Sequence, residues 1–335
     1  KKACFHFAMA RKGARKRTKY CTNSYQLILN TYLPTNIEQM TTNKKEGKPN
    51  VALVLSSGGA RGYAHIGAIE ALEERGYHIT AVAGASMGSL IGGMYCLGQL
   101  AEVKEWLFSL TRRDVVSLLD FTLSTNSLLK GDKVIRTLKE MVPDTPIESL
   151  PIPFRAIAAD LVTQREVVFS KGSIYRAIRS SISMPSILKP IKVAHHILID
   201  GGIVNPLPLN RVVRTEGDIL VSVNVSAPAS EEIEERREAA RLRQKGESRW
   251  LSLHRLMDTF TPDSVASNYM TLITSAIDLQ IQRNTVLTQK ITPPDVAVNI
   301  PMNRFGVFDF NHAEQITQVG YDEMNKALDA FESNQ

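Results

Sequence analysis

The segments VALVLSSGGARG (residues 51–62) and ITAVAGASMG (residues 79–88) decide the fold of this 335-residue chain. Each begins with a short apolar run, which is typical of a strand buried on both faces of a parallel sheet. Each run ends in a glycine-rich turn, and helical spacing follows over 63–75 and 87–97. Two successive strand–turn–helix units predict an α/β fold whose central sheet is mostly parallel.

Further apolar runs and periodic segments extend this pattern along the chain. The uncharged stretch from Ile79 to Leu100 is long enough to cross a membrane, but its five glycines and strand-like first half argue against a membrane-spanning helix. We therefore predict a mostly parallel central sheet flanked by helices in three α/β/α layers. Further strands are expected at 154–160, 166–170, 197–199, 218–225 and 296–300, and further helices at 101–110, 131–141, 174–182, 264–287 and 312–331.

The composition is that of an ordinary globular protein, with 43% hydrophobic and 22% charged residues. These values exclude disordered and collagen-like proteins. The three cysteines, Cys4, Cys21 and Cys96, are widely separated, which argues against a disulfide framework or a structural zinc site. Because the first 20 residues also lack the apolar core of a signal peptide, a cytoplasmic location is expected.

Positive charge is concentrated near the N-terminus. Residues 1–50 hold 11 of the 40 Lys and Arg but 2 of the 34 Asp and Glu, so the net charge of +6 comes from this region. The basic tail, residues 1–49, is expected to be a solvated extension, although such an arm can also bind nucleic acid or anionic lipid. Met40 is a candidate natural start, which would leave residues 1–39 outside the native protein.

The sequence GASMG, residues 84–88, fits the pattern G-x-S-x-G between a predicted strand and a predicted helix. A strained turn in this setting lifts the serine hydroxyl above the sheet, and the flanking Gly84 and Gly88 allow the chain to cross closely. The N-terminus of the following helix would stabilise a developing oxyanion. Ser86 is therefore a candidate nucleophile, and a close-packed turn without catalytic function is the alternative.

A nucleophilic serine also needs an oxyanion hole, and the loop SGGARG, residues 57–62, can supply successive backbone N–H groups for one. The same geometry can cradle a phosphate. A dinucleotide-binding loop, however, would have glycine where Ser57 stands and an acidic residue at the end of the second strand, and this sequence has neither. Nucleotide binding is kept as the less favoured alternative.

The residues alone do not identify the base that would activate the serine. His65 lies on the first helix, and His195 and His196 are expected on adjacent positions of one strand, so at most one of them faces the site. No motif surrounds any of these histidines. Asp200 ends a buried apolar strand and precedes Gly201, a setting that suits either a catalytic acid or an ordinary Asp-Gly turn.

In this order, the segments GGARG, GASMG and DGG resemble the signature of the patatin-like phospholipases, in particular bacterial members related to neuropathy target esterase. The segments RGYAHIG (residues 61–67) and SISMPS (residues 181–186) add to the resemblance. Ser57 departs from the glycine found in many members, which bears on the backbone conformation there. The resemblance implies a patatin-like catalytic core over 50–226 and leaves 227–335 as a C-terminal helical extension packed on or beside it.

The resemblance implies a Ser–Asp dyad in place of a catalytic triad. Ser86 would attack an acyl ester, Asp200 would take its proton, and water would hydrolyse the acyl-enzyme. Partial burial at the strand end is expected to raise the pKa of Asp200. No calcium, other metal or cofactor is expected. The further site residues implied are the oxyanion-hole residues Gly58, Gly59, Arg61 and Gly62, the elbow glycines Gly84 and Gly88, and the motif glycines Gly201 and Gly202.

The implied substrates are phospholipids or lysophospholipids, with peripheral contact at the inner membrane surface and no nucleic acid partner. The apolar segments 115–129 and 250–260 are candidates for the acyl-binding lining and for a membrane-contacting element, with core packing as the alternative for both. The charged segment 231–249 is expected to be an exposed helix or connection. A regulatory or scaffold protein that keeps the fold without catalysis is the alternative function.

Overall fold

A mixed sheet of eight strands organises the computed structural model, which describes residues 47–110, 114, 132–185, 187–236 and 269–334. The strands are β1 (Asn50–Leu55), β2 (His78–Ala85), β3 (Phe154–Asp160), β4 (Arg165–Phe169), β5 (Ile191–Val193), β6 (His196–Asp200), β7 (Ile219–Ala227) and β8 (Val296–Pro301). Their order is β5-β6-β3-β2-β1-β7-β8, and β4 pairs with β3 off this path. The pairs β1–β2, β1–β7, β2–β3 and β7–β8 are parallel, whereas β3–β4, β3–β6 and β5–β6 are antiparallel.

Helices flank this sheet, so the predicted fold class is confirmed. Every strand and helix expected within the described residues is present, with ends that shift by a few residues, and β5 is an addition. The predictions for residues 1–46 of the tail, for 115–129, for 237–249 of the charged segment and for 250–260 fall outside the described ranges, whereas residues 231–236 of the charged segment are helical and mostly exposed, as expected. The helices are α1 (Ala64–Glu74), α2 (Met87–Cys96), α3 (Leu100–Ser109), α4 (Asp132–Met141), α5 (Ile174–Ser181), α6 (Tyr269–Ile291) and α7 (Ala313–Glu332), with short 3-10 helices at Gly59–Tyr63, Ile147–Ser149, Gly201–Ile203 and Phe310–His312.

Both faces of the central strands are covered, which explains why β1 is apolar at successive positions. On the first face, apolar residues of β1, β7 and β8 pack against α1, α2, α5 and α7. On the second face, Ala52 and Val54 pack against an irregular segment that contains Leu207, Leu209 and Val212, and α6 contacts β7 and β8. Among the described residues, the second outer layer is therefore built from one long helix and irregular chain.

The C-terminal region contributes to the same sheet and core. β8 adds a strand beside β7, and α7 packs along α1 on the first face. The α1–α7 crossing is very close: a Cβ atom added at Gly67 would lie 1.9 Å from the Thr317 carbonyl oxygen, and one added at Gly320 would lie 1.9 Å from the Ala64 carbonyl oxygen. Within the described residues, the region after 226 thus supplies part of the sheet and part of one helical layer.

Candidate active site

The carboxyl ends of the parallel strands β1 and β2 meet at one edge of the sheet, which places the glycine-rich loop beside the serine elbow. Leu55, the last residue of β1, pairs with Gly84 of β2. A Cβ atom added at Gly62 would lie 2.2 Å from Met87 Cγ, and one added at Gly88 would lie 2.3 Å from the Leu55 carbonyl oxygen. Glycine at these positions is therefore what lets the loop and the elbow approach each other.

Ser86 forms the elbow between β2 and α2, with φ +52° and ψ −122°. This backbone conformation is costly for a residue with a side chain, so the surroundings must hold it. The Ser86 N–H donates a hydrogen bond to Ser181 Oγ at 2.9 Å, and Ser89 Oγ donates to the Ser86 carbonyl at 2.7 Å. A Cβ atom at Gly84 would lie 2.3 Å from the Gly88 carbonyl oxygen. The Ser86 hydroxyl is thus fixed at the N-terminus of α2, where the helix dipole favours negative charge.

Asp200 reaches the elbow through the register of three strands. Ala85 of β2 lies beside Ile157 of β3, and the next residue of β3, Ala158, lies beside Asp200 of β6. The Ser86 hydroxyl donates a hydrogen bond to Asp200 Oδ2 at 2.6 Å. Ser86 is 7% exposed and Asp200 is fully buried. The fold therefore brings together the two residues that the sequence suggests as nucleophile and base.

The second carboxyl oxygen of Asp200 is also engaged, because Oδ1 accepts the Gly202 N–H at 2.7 Å. A Cβ atom at Gly201 would lie 2.2 Å from the Ile157 carbonyl oxygen, so only glycine lets the chain turn this close to β3. Burial raises the pKa of Asp200 to about 7, against the lowering effect of the hydrogen bonds from Ser86 and Gly202. A carboxyl with this pKa is suited to accept a proton at neutral pH.

The side chain of Arg61 holds the glycine-rich loop. Arg61 Nε donates a hydrogen bond to the Gly58 carbonyl at 3.0 Å. Because the C=O and N–H of one peptide unit point in opposite directions, this bond turns the Gly59 N–H away from Arg61. Gly59 has φ +57°, which favours glycine, whereas Ser57 does not have a positive φ, so its departure from glycine introduces no strain. Within the described residues the Gly58 N–H has no hydrogen-bond acceptor, as an oxyanion-hole donor requires.

A segment far away in the sequence supports the same loop. Arg61 Nη1 donates to the Met302 carbonyl at 2.9 Å, and the Ala60 N–H donates to the Val307 carbonyl at 2.9 Å. Burial lowers the pKa of Arg61 to about 10, against the opposing charge of Asp278, so the guanidinium stays positive at neutral pH. Sequence reasoning missed this support, because the segment after β8 carries no motif that links it to the loop.

His65 has a structural role on α1. Its side chain is fully buried, and its Nε2–H donates a hydrogen bond to the Ser56 carbonyl at 2.9 Å. Burial lowers the pKa of His65 to about 4, so the ring is neutral at pH 7. This histidine therefore anchors the end of β1, and its Nε2 is not available to take a proton from the serine.

The prediction that His195 and His196 occupy adjacent strand positions is wrong. His195 lies in the tight turn between β5 and β6, and only His196 belongs to β6. The turn is made possible by a φ of +51° at Ala194, and it brings the centroids of the two imidazole rings to 4.2 Å. His196 Nδ1 is 2.7 Å from Asp160 Oδ2, so this histidine is paired with Asp160. The Ser86 hydroxyl is bonded to a different carboxylate, Asp200.

A cavity of about 420 Å³ lies beside Arg61 but is lined by neither Ser86 nor Asp200. It is open to solvent and lies between α6 and the segment after β8. Arg61 thus both lines this cavity and bonds the Gly58 carbonyl of the glycine-rich loop. Its described lining includes Arg61, Ser275, Asp278, Leu279, Met302 and Val307.

In the described ranges, no three His, Cys, Asp or Glu side chains come together as metal ligands would. No helix in those ranges is both long and apolar enough to cross a bilayer. The expectation of a reaction without metal or cofactor stays a prediction.

The part of the chain that holds Ser86 and Asp200 is similar in sequence to a known protein family. The family model for patatin-like phospholipases matches residues 53–213. An uncharacterized NTE family protein of Mycobacterium tuberculosis is 43% identical over 178 residues, which are 53% of this chain and 49% of that protein. The chain thus spans about half the length of this relative. Neuropathy target esterase of Drosophila melanogaster is 26% identical over 287 residues, 81% of this chain and 19% of that protein. Among solved structures, the alignment with VipD from Legionella pneumophila covers 86% of this chain and 67% of the VipD chain, with 14% sequence identity and a TM-score of 0.49.

Proposed function

We propose, from the premise that residues 53–213 form a patatin-like phospholipase domain, that this chain is a serine acylhydrolase of phospholipids or lysophospholipids. The observation that carries the proposal is the 2.6 Å hydrogen bond from the Ser86 hydroxyl to Asp200, formed at a strained elbow on a helix N-terminus. A nucleophile held against a buried carboxylate suits acyl transfer. Peripheral contact of a cytoplasmic protein with the inner membrane surface belongs to the same proposal.

The geometry suggests a reaction in two steps. Ser86 Oγ attacks the ester carbonyl while its proton passes to Asp200, and the negative oxygen that forms is stabilised by the N–H groups of Gly58 and Gly59 and by the N-terminus of α2. Collapse of this intermediate releases the alcohol, which takes the proton from Asp200, and leaves Ser86 acylated. Water then attacks the acyl group, gives its proton to Asp200, and the fatty acid leaves as the Ser86 hydroxyl re-forms.

The first test is covalent labelling with a fluorophosphonate probe, combined with hydrolysis of p-nitrophenyl esters of increasing chain length and of mixed phospholipids. We expect the wild type to be labelled and to release fatty acid, and Ser86→Ala to do neither. A well-folded wild type that is not labelled and hydrolyses none of these substrates would contradict the proposal and favour the regulatory or scaffold alternative.

The pH dependence of kcat/KM should report the ionisation of the buried Asp200 carboxyl. Only ionised Asp200 can take the serine proton, so kcat/KM should be constant above about pH 7 and fall about tenfold per pH unit below it. The profile is measured with a p-nitrophenyl ester at the wavelength where p-nitrophenol and its anion absorb equally. A rate that does not change between about pH 4 and pH 8 would show that no such group acts as the base.

Arg61→Lys should slow the reaction without a comparable loss of substrate binding. Lysine keeps the positive charge but has one nitrogen in place of the separate Nε and Nη1 donors, so it cannot reproduce the bonds to the carbonyls of Gly58 and Met302 in their present geometry and the oxyanion loop is held less firmly. We expect kcat to fall roughly 10- to 100-fold with KM changed less than about threefold. Arg304→Lys, a substitution of an exposed arginine two residues after Met302, is the matched control and should leave both constants unchanged.

A further inference from the structure

The outward side of α6 exposes an unusual number of apolar side chains. Four of the eight large hydrophobic residues that are exposed in the described part of the chain lie on this helix. Their spacing of seven, eight and four residues places them on one side of the helix, over a length of about 28 Å. They are Leu272, Leu279, Leu287 and Ile291, which are 47%, 58%, 53% and 80% exposed.

The rest of α6 is fixed, so this side cannot turn inward. Ile281 and Thr285 are buried beneath the helix. On one flank, Gln280 Nε2 and Asn284 Nδ2 both donate to the Ile203 carbonyl, at 2.7 and 3.4 Å. Ile203 ends the 3-10 helix that directly follows Asp200 in the chain. The apolar side of α6 therefore lies beside the turn that carries the proposed base.

The charges on α6 are arranged asymmetrically. Arg283 and Lys290 fall on the same side as the exposed leucines, and the spacing of the helix places them between and beside those leucines. The helix contains one carboxylate, Asp278, which is half-buried on the flank that faces Arg61. The exposed side thus combines leucines with positive charge and has no negative charge, as amphipathic helices that bind anionic membranes do.

We propose that this outer face of α6, made by Leu272, Leu279, Arg283, Leu287, Lys290 and Ile291, is the surface that binds an anionic lipid bilayer. The inference rests on the proposed function, because a lipid hydrolase must work where its substrate is packed in a bilayer. A bilayer fits the face better than a protein groove does, since the leucines are spread along the helix among cations instead of forming one compact patch. Binding there would bring the Asp200 turn close to the membrane surface.

The test is co-sedimentation of the full chain with vesicles of phosphatidylcholine alone and of phosphatidylcholine with about one-third phosphatidylglycerol. The double variant Leu272→Glu/Leu287→Glu should bind the anionic vesicles at least tenfold more weakly, because two leucines lose their burial and two negative charges are added. Leu161→Glu is the matched control, because Leu161 is as exposed as Leu287, at 53%, but lies in the turn between β3 and β4. It should bind as the wild type does.

A second pair of substitutions separates charge from apolar contact. Arg283→Gln/Lys290→Gln should remove the preference for anionic over neutral vesicles and keep the residual binding to both. Equal loss of binding in the α6 variant and in Leu161→Glu would overturn the assignment of this face. A wild type that binds neither vesicle, or whose α6 variant changes from dimer to monomer in sedimentation velocity instead of losing lipid binding, would overturn it as well.

Hydrolysis of a short, monomeric p-nitrophenyl ester distinguishes failure of the surface from failure of the proposed function. The α6 double variant should hydrolyse this ester at the wild-type rate, since its substitutions lie on the outside of the helix. If the wild type binds anionic vesicles as expected but hydrolyses no ester, the lipid-binding face is supported and the hydrolase proposal fails.

Discussion

Asp200→Asn is expected to slow hydrolysis by at least about a hundredfold and, above pH 7, to stabilise the fold. Asparagine can still accept the Gly202 N–H through its amide oxygen, so the turn keeps its shape. It cannot take the proton of Ser86, and the loss of a general base lowers kcat by roughly 10²- to 10⁴-fold. An asparagine variant that keeps most of its activity, beside an inactive Ser86→Ala, would show that another group is the base.

The expected gain in stability follows from the direction of the pKa shift. Burial raises the pKa of Asp200 from 3.8 to about 7, so the folded state binds this proton more tightly than the unfolded state does. The wild type therefore loses free energy of unfolding as the pH rises from about 4 to about 7. Asparagine does not titrate, so the variant should match the wild type most closely near pH 4 and exceed it above pH 7. The difference is on the order of a few kcal/mol, since one pKa unit corresponds to about 1.4 kcal/mol.

Asp160→Asn is a control for which we expect the opposite change in stability. Asp160 is also buried, and although burial by itself raises its pKa, hydrogen bonds from Thr163, His196 and the Val162 and Ile197 N–H groups lower it well below the ordinary value. Its ionised form thus stabilises the folded state at neutral pH, and asparagine should destabilise it there. Urea unfolding of both variants at pH 5 and pH 8 measures the two effects. Destabilisation by both substitutions at pH 8 would contradict the raised pKa of Asp200.

The sequence alone could predict those strands and turns that are marked by a local run of apolar residues or by closely spaced glycines. The run 51–55 is apolar at every position because both of its faces are covered, and the glycines of 84–88 mark a turn that no larger residue could make. β5 could not be predicted, because a three-residue strand with half-exposed Ile191 and Val193 has no apolar run. The same gap explains the error at His195, which lies in the turn that β5 creates.

The approach of Asp200 to Ser86 depends on the order of the strands in the sheet, which no local sequence pattern indicates. Asp200 ends an antiparallel strand and meets the elbow only because β3 lies between β2 and β6. The hydrogen bond from the Ser86 N–H to Ser181 was not predicted either. The segment SISMPS contributes to the family resemblance, but its sequence does not indicate that its first serine contacts the elbow. The resemblance therefore supplied the pairing of serine and aspartate that the spacing of residues could not.

The α1–α7 crossing gives the largest expected effect on stability. Gly67→Ala would place a Cβ atom 1.9 Å from the Thr317 carbonyl oxygen, and Gly320→Ala would place one 1.9 Å from the Ala64 carbonyl oxygen. Both neighbours are backbone atoms of a helix, which cannot rotate aside as a side chain could, so the two helices must separate. Overpacking usually costs about 1–3 kcal/mol, and a backbone clash belongs at or above the upper end of that range.

Each alanine variant should therefore lose at least about 3 kcal/mol, which lowers Tm by roughly 10 °C in a domain of this size. Gln318→Ala, on the exposed side of α7, is the control and should change stability by less than about 0.5 kcal/mol. The double variant should cost less than the sum of the single variants, because helices already separated by one methyl group leave room for the second. Additive losses would place the two glycines in independent contacts, and wild-type stability in either variant would contradict the close crossing. Since α7 begins a hundred residues after the matched domain ends, a loss of this size would show that the stability of the fold depends on a helix outside that domain.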